Sequence, residues 1–160
     1  MPRKHSCVPF ASRLGYCNSL LAGSPKYLLR KLQKIQNSAA RVIFRSSKLD
    51  HVSPRLHALH WLPVHQRINH KLSAICFSFV TGTGPQYLAD IFKIYAPSRQ
   101  FCSSSDTCLF QIPSVNTKSN GQRTFAYQGP TVWNKLSRNI RHAPSLDLVA
   151  LMWSFVVDWA

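Results

Sequence analysis

The sequence predicts a mainly α-helical protein: a small helical bundle with one irregular Ser/Pro-rich segment and at most one short hairpin. Two segments, 24–45 and 64–80, carry apolar residues at alternating spacings of four and three, which place them on one face of a helix. Segment 97–123 is instead rich in Ser, Pro, Asn and Gly and holds one short apolar run, CLFQIP. The 160 residues, 45% of them hydrophobic, suffice for one domain or two small ones.

The first predicted helix covers residues 24–45, where Ser24 suits the N-cap and Pro25 the first helical position. Its apolar stripe consists of Leu28, Leu32, Ile35, Ala39 and Val42. At about 100° per residue, the opposite face carries five cations with no acid between them: Lys26, Arg30, Lys34, Arg41 and Arg45. Solvated helix faces usually mix both signs of charge, because opposite charges one turn apart stabilise a helix. The unmixed stripe therefore favours phosphate binding, with an ordinary solvated face as the alternative.

The second long helix is predicted over 64–80, after a short helix in RLHALHWLPV that Pro63 ends or redirects. Two cations, Arg67 and Lys71, lie together off its apolar stripe. The glycines of TGTGP end this helix, and the proline starts a third one in PQYLADIFKIY.

The C-terminal part is predicted to turn helical again over 124–136, with a break near Gly129-Pro130. Beyond Ser145, periodicity does not distinguish a helix from an extended chain. The final apolar run, LVALMWSFVV, is shorter than the roughly 20 residues that span a bilayer, so no transmembrane segment is predicted. The N-terminus also lacks an apolar run long enough for a signal peptide.

The charge of the chain is strongly positive and unevenly distributed. Twenty Lys and Arg residues face five acids, all of them Asp, which gives a net charge of +15. Residues 1–71 hold 13 basic residues and one acid, whereas residues 72–160 hold 7 basic residues and 4 acids. Such a balance favours RNA or DNA as the partner, or an anionic membrane surface. A basic surface without a specific partner is the alternative.

Four histidines, His57, His60, His65 and His70, fall within HALHWLPVHQRINHK. A histidine metal site needs three or four converging ligands, whereas His65 and His70 would point about 140° apart on a helix. No cysteine lies nearby, and the chain has no Glu to complete a carboxylate site or orient a catalytic base. Neither a metal, nor a cofactor, nor catalytic histidines are predicted. Instead, His60 and Trp61 are expected to pack between helices, and His65 and His70 to lie on the surface of the next one.

The five cysteines form no C-x-x-C pair and are irregularly spaced. Neither a zinc ribbon nor a disulfide framework is therefore indicated. This pattern predicts a reducing compartment, either the nucleus or the cytoplasm.

Most of the chain, from about residue 12 to residue 147, resembles the C-terminal region of LINE-type (non-long-terminal-repeat) retrotransposon reverse transcriptases. The resemblance is carried by SRLGYCNSLLAGSPKYLLRKLQKIQNSAARVIFR, LHWLPVHQRINHKL, GPQYLADIF and QRTFAYQGPTVWNKLSRNIRHAPSL, and its most specific pieces are LHWLPV and PTVWNKL. It implies a basic, helical, thumb-like region over 1–96, a loop or hairpin over 97–123, and a helical region with a divergent apolar tail over 124–160. It also implies that His60, Trp61 and Pro63 serve the structure.

In that family this region follows the palm domain and is expected to grip template RNA and target DNA. The resemblance thus implies a nucleic-acid-binding chain, with an absent palm domain as a further partner. From their positions on the predicted helices, the expected contacts are Lys26, Arg30, Lys34, Arg41, Arg45, Arg67 and Lys71. No small-molecule substrate is expected. A two-metal polymerase site needs clustered aspartates, and here Asp50, Asp90, Asp106, Asp147 and Asp158 are scattered. The chain is therefore expected to have no enzymatic activity alone.

Two departures from the family pattern favour a translated retrotransposon remnant. Gly15 stands where the family usually has Asp, and the tail after residue 147 is apolar and slightly acidic where the family has a basic amphipathic segment. The alternatives are a translated pseudogene fragment without function, a helical protein-interaction module that uses the apolar tail, and an intact enzyme.

Overall fold

A computed structural model describes residues 15–96, 108–117 and 120–144 of the chain. It is mainly helical, as predicted. Its described part contains six α-helices: α1 (Lys26–Phe44), α2 (Ser53–Ala58), α3 (Val64–Val80), α4 (Leu88–Ile91), α5 (Phe125–Asn134) and α6 (Arg138–Arg141). Two 3₁₀ turns, Asn18–Leu21 and Gly121–Arg123, precede α1 and α5. Both long helices lie where the sequence predicts them, and no helix in the described part of the chain is long and apolar enough to cross a membrane.

Helix α1 begins one residue later than its sequence suggests. Pro25 takes the N-cap position, and its carbonyl accepts hydrogen bonds from the backbone of Leu28 and Leu29. The prediction of Ser24 as N-cap is wrong: no side chain caps this helix, and the Ser24 hydroxyl instead accepts a hydrogen bond from Arg123.

The face of α1 that packs against the protein is rotated from the predicted apolar stripe. Leu28 is 36% exposed, Ile35 52% and Val42 77%, so these three residues form an exposed apolar ridge. Leu32 and Ala39 of the predicted stripe do pack against the core, together with Leu29, while Gln36 and Ala40 are fully buried. The predicted face is therefore wrong for Leu28, Ile35 and Val42, because the core here accepts a hydrogen-bonding side chain, Gln36, which apolar periodicity does not detect.

Two glutamines of α1 hold the start of α3. Gln36 Nε2 donates to the carbonyl of Leu62 at 2.9 Å, and Gln33 Oε1 accepts from the backbone N–H of Val64 at 2.8 Å. The two amides are joined by a 3.0 Å hydrogen bond from Gln33 Nε2 to Gln36 Oε1. The backbone groups on both sides of Pro63 thereby find partners inside the protein, as buried polar groups require. This pairing fixes the angle at which the chain enters α3.

We expect Gln36→Leu to lower the free energy of unfolding by about 1–3 kcal/mol, although it adds an apolar side chain to a buried position. The substitution leaves the carbonyl of Leu62 without a donor and removes one of the two acceptors of Gln33 Nε2, the other being Asn37 Oδ1. Urea unfolding followed by circular dichroism measures the loss, with Gln86→Leu at an exposed position as the matched control. Equal stability of the two variants would show that the Gln36 hydrogen bonds do not stabilise the fold.

Helix α2 ends at Ala58 through a backbone turn, several residues before Pro63. His60 adopts a left-handed conformation with φ of 53°, and the N–H of Trp61 reaches back to the carbonyl of Leu56 at 2.8 Å. This pattern is the Schellman motif, which usually has glycine in the place of His60. Trp61 is buried against Ala40, Val52 and Leu56, as predicted, but the expected packing of His60 is wrong because this turn leaves its side chain exposed.

Helices α3 and α5 pack against each other and carry most of the core. Cys76 and Phe77 of α3 meet Trp133 of α5 together with Leu88, Phe92, Phe110, Leu136 and Ile140. The predicted break near Gly129-Pro130 is wrong, because α5 runs continuously through both residues. Gly129 lets the Phe92 ring pack closely against α5: a Cβ there would lie 2.8 Å from Cε1 of Phe92.

The segment before α5 is fastened to that helix by hydrogen bonds from two adjacent side chains. Asn134 pairs with both backbone groups of Phe110, accepting from its N–H at 3.0 Å and donating to its carbonyl at 2.8 Å. Trp133 Nε1 donates to the carbonyl of Cys108 at 2.6 Å. Among the residues of this segment that the structure describes, strand-like pairing amounts to one isolated bridge, Ile94 with Phe110. Residues 97–107, 118–119 and the tail from 145 lie outside the described residues.

The third predicted helix is much shorter than PQYLADIFKIY. Only Leu88–Ile91 is helical, and Phe92 turns extended so that its ring enters the core. Its ring lies 5.2 Å from that of Phe110 and 5.2 Å from that of Phe125. Burial of Phe92 in this aromatic cluster therefore overrides the local helical pattern.

Candidate nucleic-acid interface

The exposed face of α1 carries most of the cations predicted to bind phosphate. Lys26, Arg30 and Lys34 are exposed and follow one another at four-residue intervals, each a rise of about 6 Å along the helix. Arg45 is also exposed and stands just past the helix end, in a left-handed conformation with φ of 50°. The sequence of the helix contains no acid, so the face has a single sign of charge.

Arg41 is held differently from the other cations of α1. It is half-buried, and its Nη2 donates to the carbonyl of Asp50 at 3.4 Å in the loop after the helix. The carboxylate of Asp50 itself pairs with Arg55 at 2.8 Å. Arg41 therefore orders this loop and adds positive potential, while its guanidinium is less free to meet a phosphate than those of its neighbours.

The two predicted cations of α3 differ in accessibility. Lys71 is exposed, whereas Arg67 is half-buried, and burial lowers the pKa of its guanidinium below the usual value. Arginine keeps its charge at neutral pH even so. Lys71 lines a cleft beside the 3₁₀ turn Asn18–Leu21, so it belongs to a different feature of the surface from α1.

Two cations with suitable geometry were missed by the sequence analysis. Lys31 is exposed beside the α1 stripe, with its Nζ 5.8 Å from the centre of the Tyr27 ring. Arg123 is exposed and lines the same cleft as Lys71, although 52 residues separate them in sequence. Helical angles alone place Lys31 at the border of the stripe, whereas the position of Arg123 depends on tertiary packing.

The histidines lie apart from any metal-binding arrangement among the residues that the structure describes. No group of three or more His, Cys, Asp or Glu side chains converges within those ranges. His57, His60 and His65 are exposed, while His70 is half-buried. Burial, with a smaller effect from the neighbouring Lys71, lowers the pKa of His70, so this side chain is neutral at physiological pH.

The buried thiol of Cys76 belongs to the core. Burial raises its pKa to about 12, so it stays protonated and unreactive at neutral pH. Cys17 and Cys108 are free thiols as well.

The described surface offers a set of exposed cations and hydrogen-bond donors, which suits the recognition of phosphate groups. Comparisons with protein-family models, with curated proteins and with solved structures find no match to this chain.

Proposed function

We propose that this chain binds RNA or DNA without sequence preference, as a non-catalytic remnant of the C-terminal region of a LINE-type reverse transcriptase. The observation that supports the binding is the exposed, acid-free cationic face of α1. Phosphate contacts of this type position a protein on nucleic acid without reading its bases. The resemblance in LHWLPV and PTVWNKL supports the retrotransposon origin.

The geometry of α1 suits a phosphate backbone. Its 19 residues extend over roughly 28 Å, and three exposed cations at one-turn intervals occupy its first half. Helix α1 packs against α2 and α3 through the face that contains Gln36 and Ala40, which leaves the cations directed away from that packing. A strand lying along this helix would therefore meet several cations at once.

The proposal contains no catalytic step. The five aspartates of the chain have no adjoining pair, whereas two-metal phosphoryl transfer needs carboxylates that hold two ions about 4 Å apart. A nuclear or cytoplasmic location is part of the proposal, since RNA and DNA are the partners it requires. A palm domain is a further proposed partner.

The exposed apolar ridge of Leu28, Ile35 and Val42 favours a second candidate function, a helical protein-interaction module. These residues recur every seven positions, which is the spacing of a helix–helix seam. The two candidates are separable, because the ridge and the cations occupy neighbouring but different strips of α1. Ile35→Ser with Val42→Ser would leave nucleic-acid binding unchanged under the first candidate.

We expect Arg30→Glu with Lys34→Glu to weaken binding to RNA and DNA at least tenfold, to the same extent for all sequences. Four exposed contacts predict that log K falls with log salt at a slope of roughly −3 to −4, and the variant should flatten this slope. Fluorescence anisotropy titrations over a range of salt concentrations measure both quantities. Both residues point away from the core, so circular dichroism should be unchanged.

The matched control is Lys93→Glu with Arg138→Glu, which reverses the same two residue types at exposed positions on other elements. We expect it to lower affinity much less. An equal loss of affinity in both double variants would mean that the net charge of +15 attracts nucleic acid to the whole surface, and that the face of α1 is an ordinary solvated surface.

A further inference from the structure

A cleft of about 520 Å³ lies between the 3₁₀ turn Asn18–Leu21, α3, α4 and the start of α5. This size is within the range of small-ligand sites. The charged residues among those that line it are Lys71 and Arg123, and no carboxylate contributes to its wall. A second cleft of similar size, beside Lys135 and His65, has Lys135 as its one permanent cation and no Phe, Tyr or Trp in its wall. The first cleft is therefore the better candidate for an anionic ligand.

Arg123 is held in place at the edge of this cleft. Its Nη2 donates to Ser24 Oγ at 3.4 Å, and its stem packs on the turn at Gly23. Gly23 has φ of +67°, and a Cβ there would lie 3.0 Å from Cα of Arg123 and 3.1 Å from its Cγ. Glycine thus permits both the left-handed turn and the close approach of the arginine. An arginine positioned in this way loses less side-chain entropy when it binds an anion.

The lining of the cleft also includes exposed apolar and aromatic side chains. Tyr87 is 63% exposed, and Leu20 and Ile91 are exposed as well. Leu88, which is buried in the hydrophobic core, and Phe125, which packs against that core, also line the cleft. A planar group could stack on an exposed tyrosine here while a linked anion meets Lys71 and Arg123.

We propose that this cleft binds one unstacked nucleotide of a single strand, with the phosphate between Lys71 and Arg123 and the base against Tyr87. This inference rests on the proposed function and deepens it: α1 contacts the backbone of any nucleic acid, whereas the cleft selects single strands. A base that is paired in a duplex is stacked within the helix and does not reach Tyr87. The chain therefore prefers single-stranded nucleic acid over a duplex of the same charge.

The test compares a fluorescent single-stranded RNA with a duplex of the same sequence, using the full chain and its variants. Tyr87→Ala should weaken single-strand binding about tenfold, as expected for the loss of one stacked base, and leave duplex binding within about twofold. Tyr87→Phe should bind the single strand as the unchanged protein does, because the ring remains. Tyr95→Ala, at another exposed tyrosine outside the cleft, is the matched control. Equal loss of single-strand and duplex binding, or no loss, would overturn the inference.

Titration with uridine monophosphate and with inorganic phosphate, followed by NMR chemical shifts, isolates the cleft from α1. The nucleotide should shift residues around Tyr87 and Lys71 and bind at least tenfold more tightly than phosphate, and Lys71→Ala with Arg123→Ala should abolish the shifts. Equal affinity for phosphate would reduce the cleft to a simple anion site and overturn the inference.

The two proposals fail in distinguishable ways. If Arg30→Glu with Lys34→Glu weakens binding but Tyr87→Ala does not, only the cleft assignment is wrong. If uridine monophosphate binds the cleft but the α1 variant and its control lose affinity equally, the cleft stands and the α1 interface fails.

Discussion

Trp133→Ala should lower the free energy of unfolding by about 3–5 kcal/mol, the usual cost of deleting a fully buried aromatic ring. Trp133 is fully buried at the centre of the largest core cluster, and its ring lies 5.8 Å from that of Phe110. The substitution also removes the donor for the carbonyl of Cys108. Because a domain of this size has a total stability of about 5–15 kcal/mol, this loss is a large fraction of it, and the midpoint of thermal unfolding should fall clearly.

Urea unfolding followed by circular dichroism measures this loss at low temperature, where the variant is still folded. Trp133→Phe keeps most of the packing but leaves the Cys108 carbonyl unpaired, so we expect an intermediate loss of about 1–3 kcal/mol. Tyr95→Ala at an exposed ring should have little effect. A loss below about 1 kcal/mol for Trp133→Ala would contradict its central place in the core.

Gly129→Val should destabilise the protein by about 3 kcal/mol, even though glycine is normally a poor residue inside a helix. A Cβ at this position would lie 2.8 Å from Cε1 and 3.0 Å from Cζ of Phe92. The Phe92 ring is held between the rings of Phe110 and Phe125, each 5.2 Å away, so it has no room to retreat. Thermal unfolding and urea titration should both show the loss.

Gly15→Val is the matched control, because a Cβ at Gly15 meets no atom within 4 Å. A second substitution, Phe92→Leu, should restore part of the stability of Gly129→Val by making room for the new side chain. If Gly129→Val were as stable as the unchanged protein, the Phe92 ring would have to lie further from α5 than the structure places it.

The elements that the sequence predicts correctly are those governed by local patterns. Helices α1 and α3 carry strong four-three periodicity and lie within a residue or two of their predicted bounds. The predicted face of α1 is correct for Leu32 and Ala39 but wrong for Leu28, Ile35 and Val42, because Gln36 is buried through a hydrogen bond to a backbone carbonyl 26 residues away, which periodicity cannot show. The short α4 has a similar cause, since Phe92 leaves the helix to fill the aromatic core.

The residues of the candidate site also differ in whether local sequence patterns could predict their arrangement. The cations Lys26, Arg30 and Lys34 could be grouped from their spacing on one helix, because helical geometry alone fixes their relation. Arg41 lies on the same face, but its guanidinium donates a hydrogen bond to the carbonyl of Asp50 in the following loop. The cleft could not be predicted at all, because Lys71, Tyr87 and Arg123 come together only through the packing of three elements.

The hydrogen bond between Arg123 and Ser24 joins residues 99 positions apart in sequence, whereas the glutamine contacts of α1 with the start of α3 span 26 and 31 positions. Contacts between distant residues close large loops and are slow to form, so we expect the first three helices to associate before the Arg123 contact is made. During synthesis, the edge of the cleft would remain incomplete until residue 123 has left the ribosome. If both proposals hold, affinity for a nucleotide appears only after the cations of α1 are already displayed, so a growing chain acquires the two proposed modes of binding in sequence.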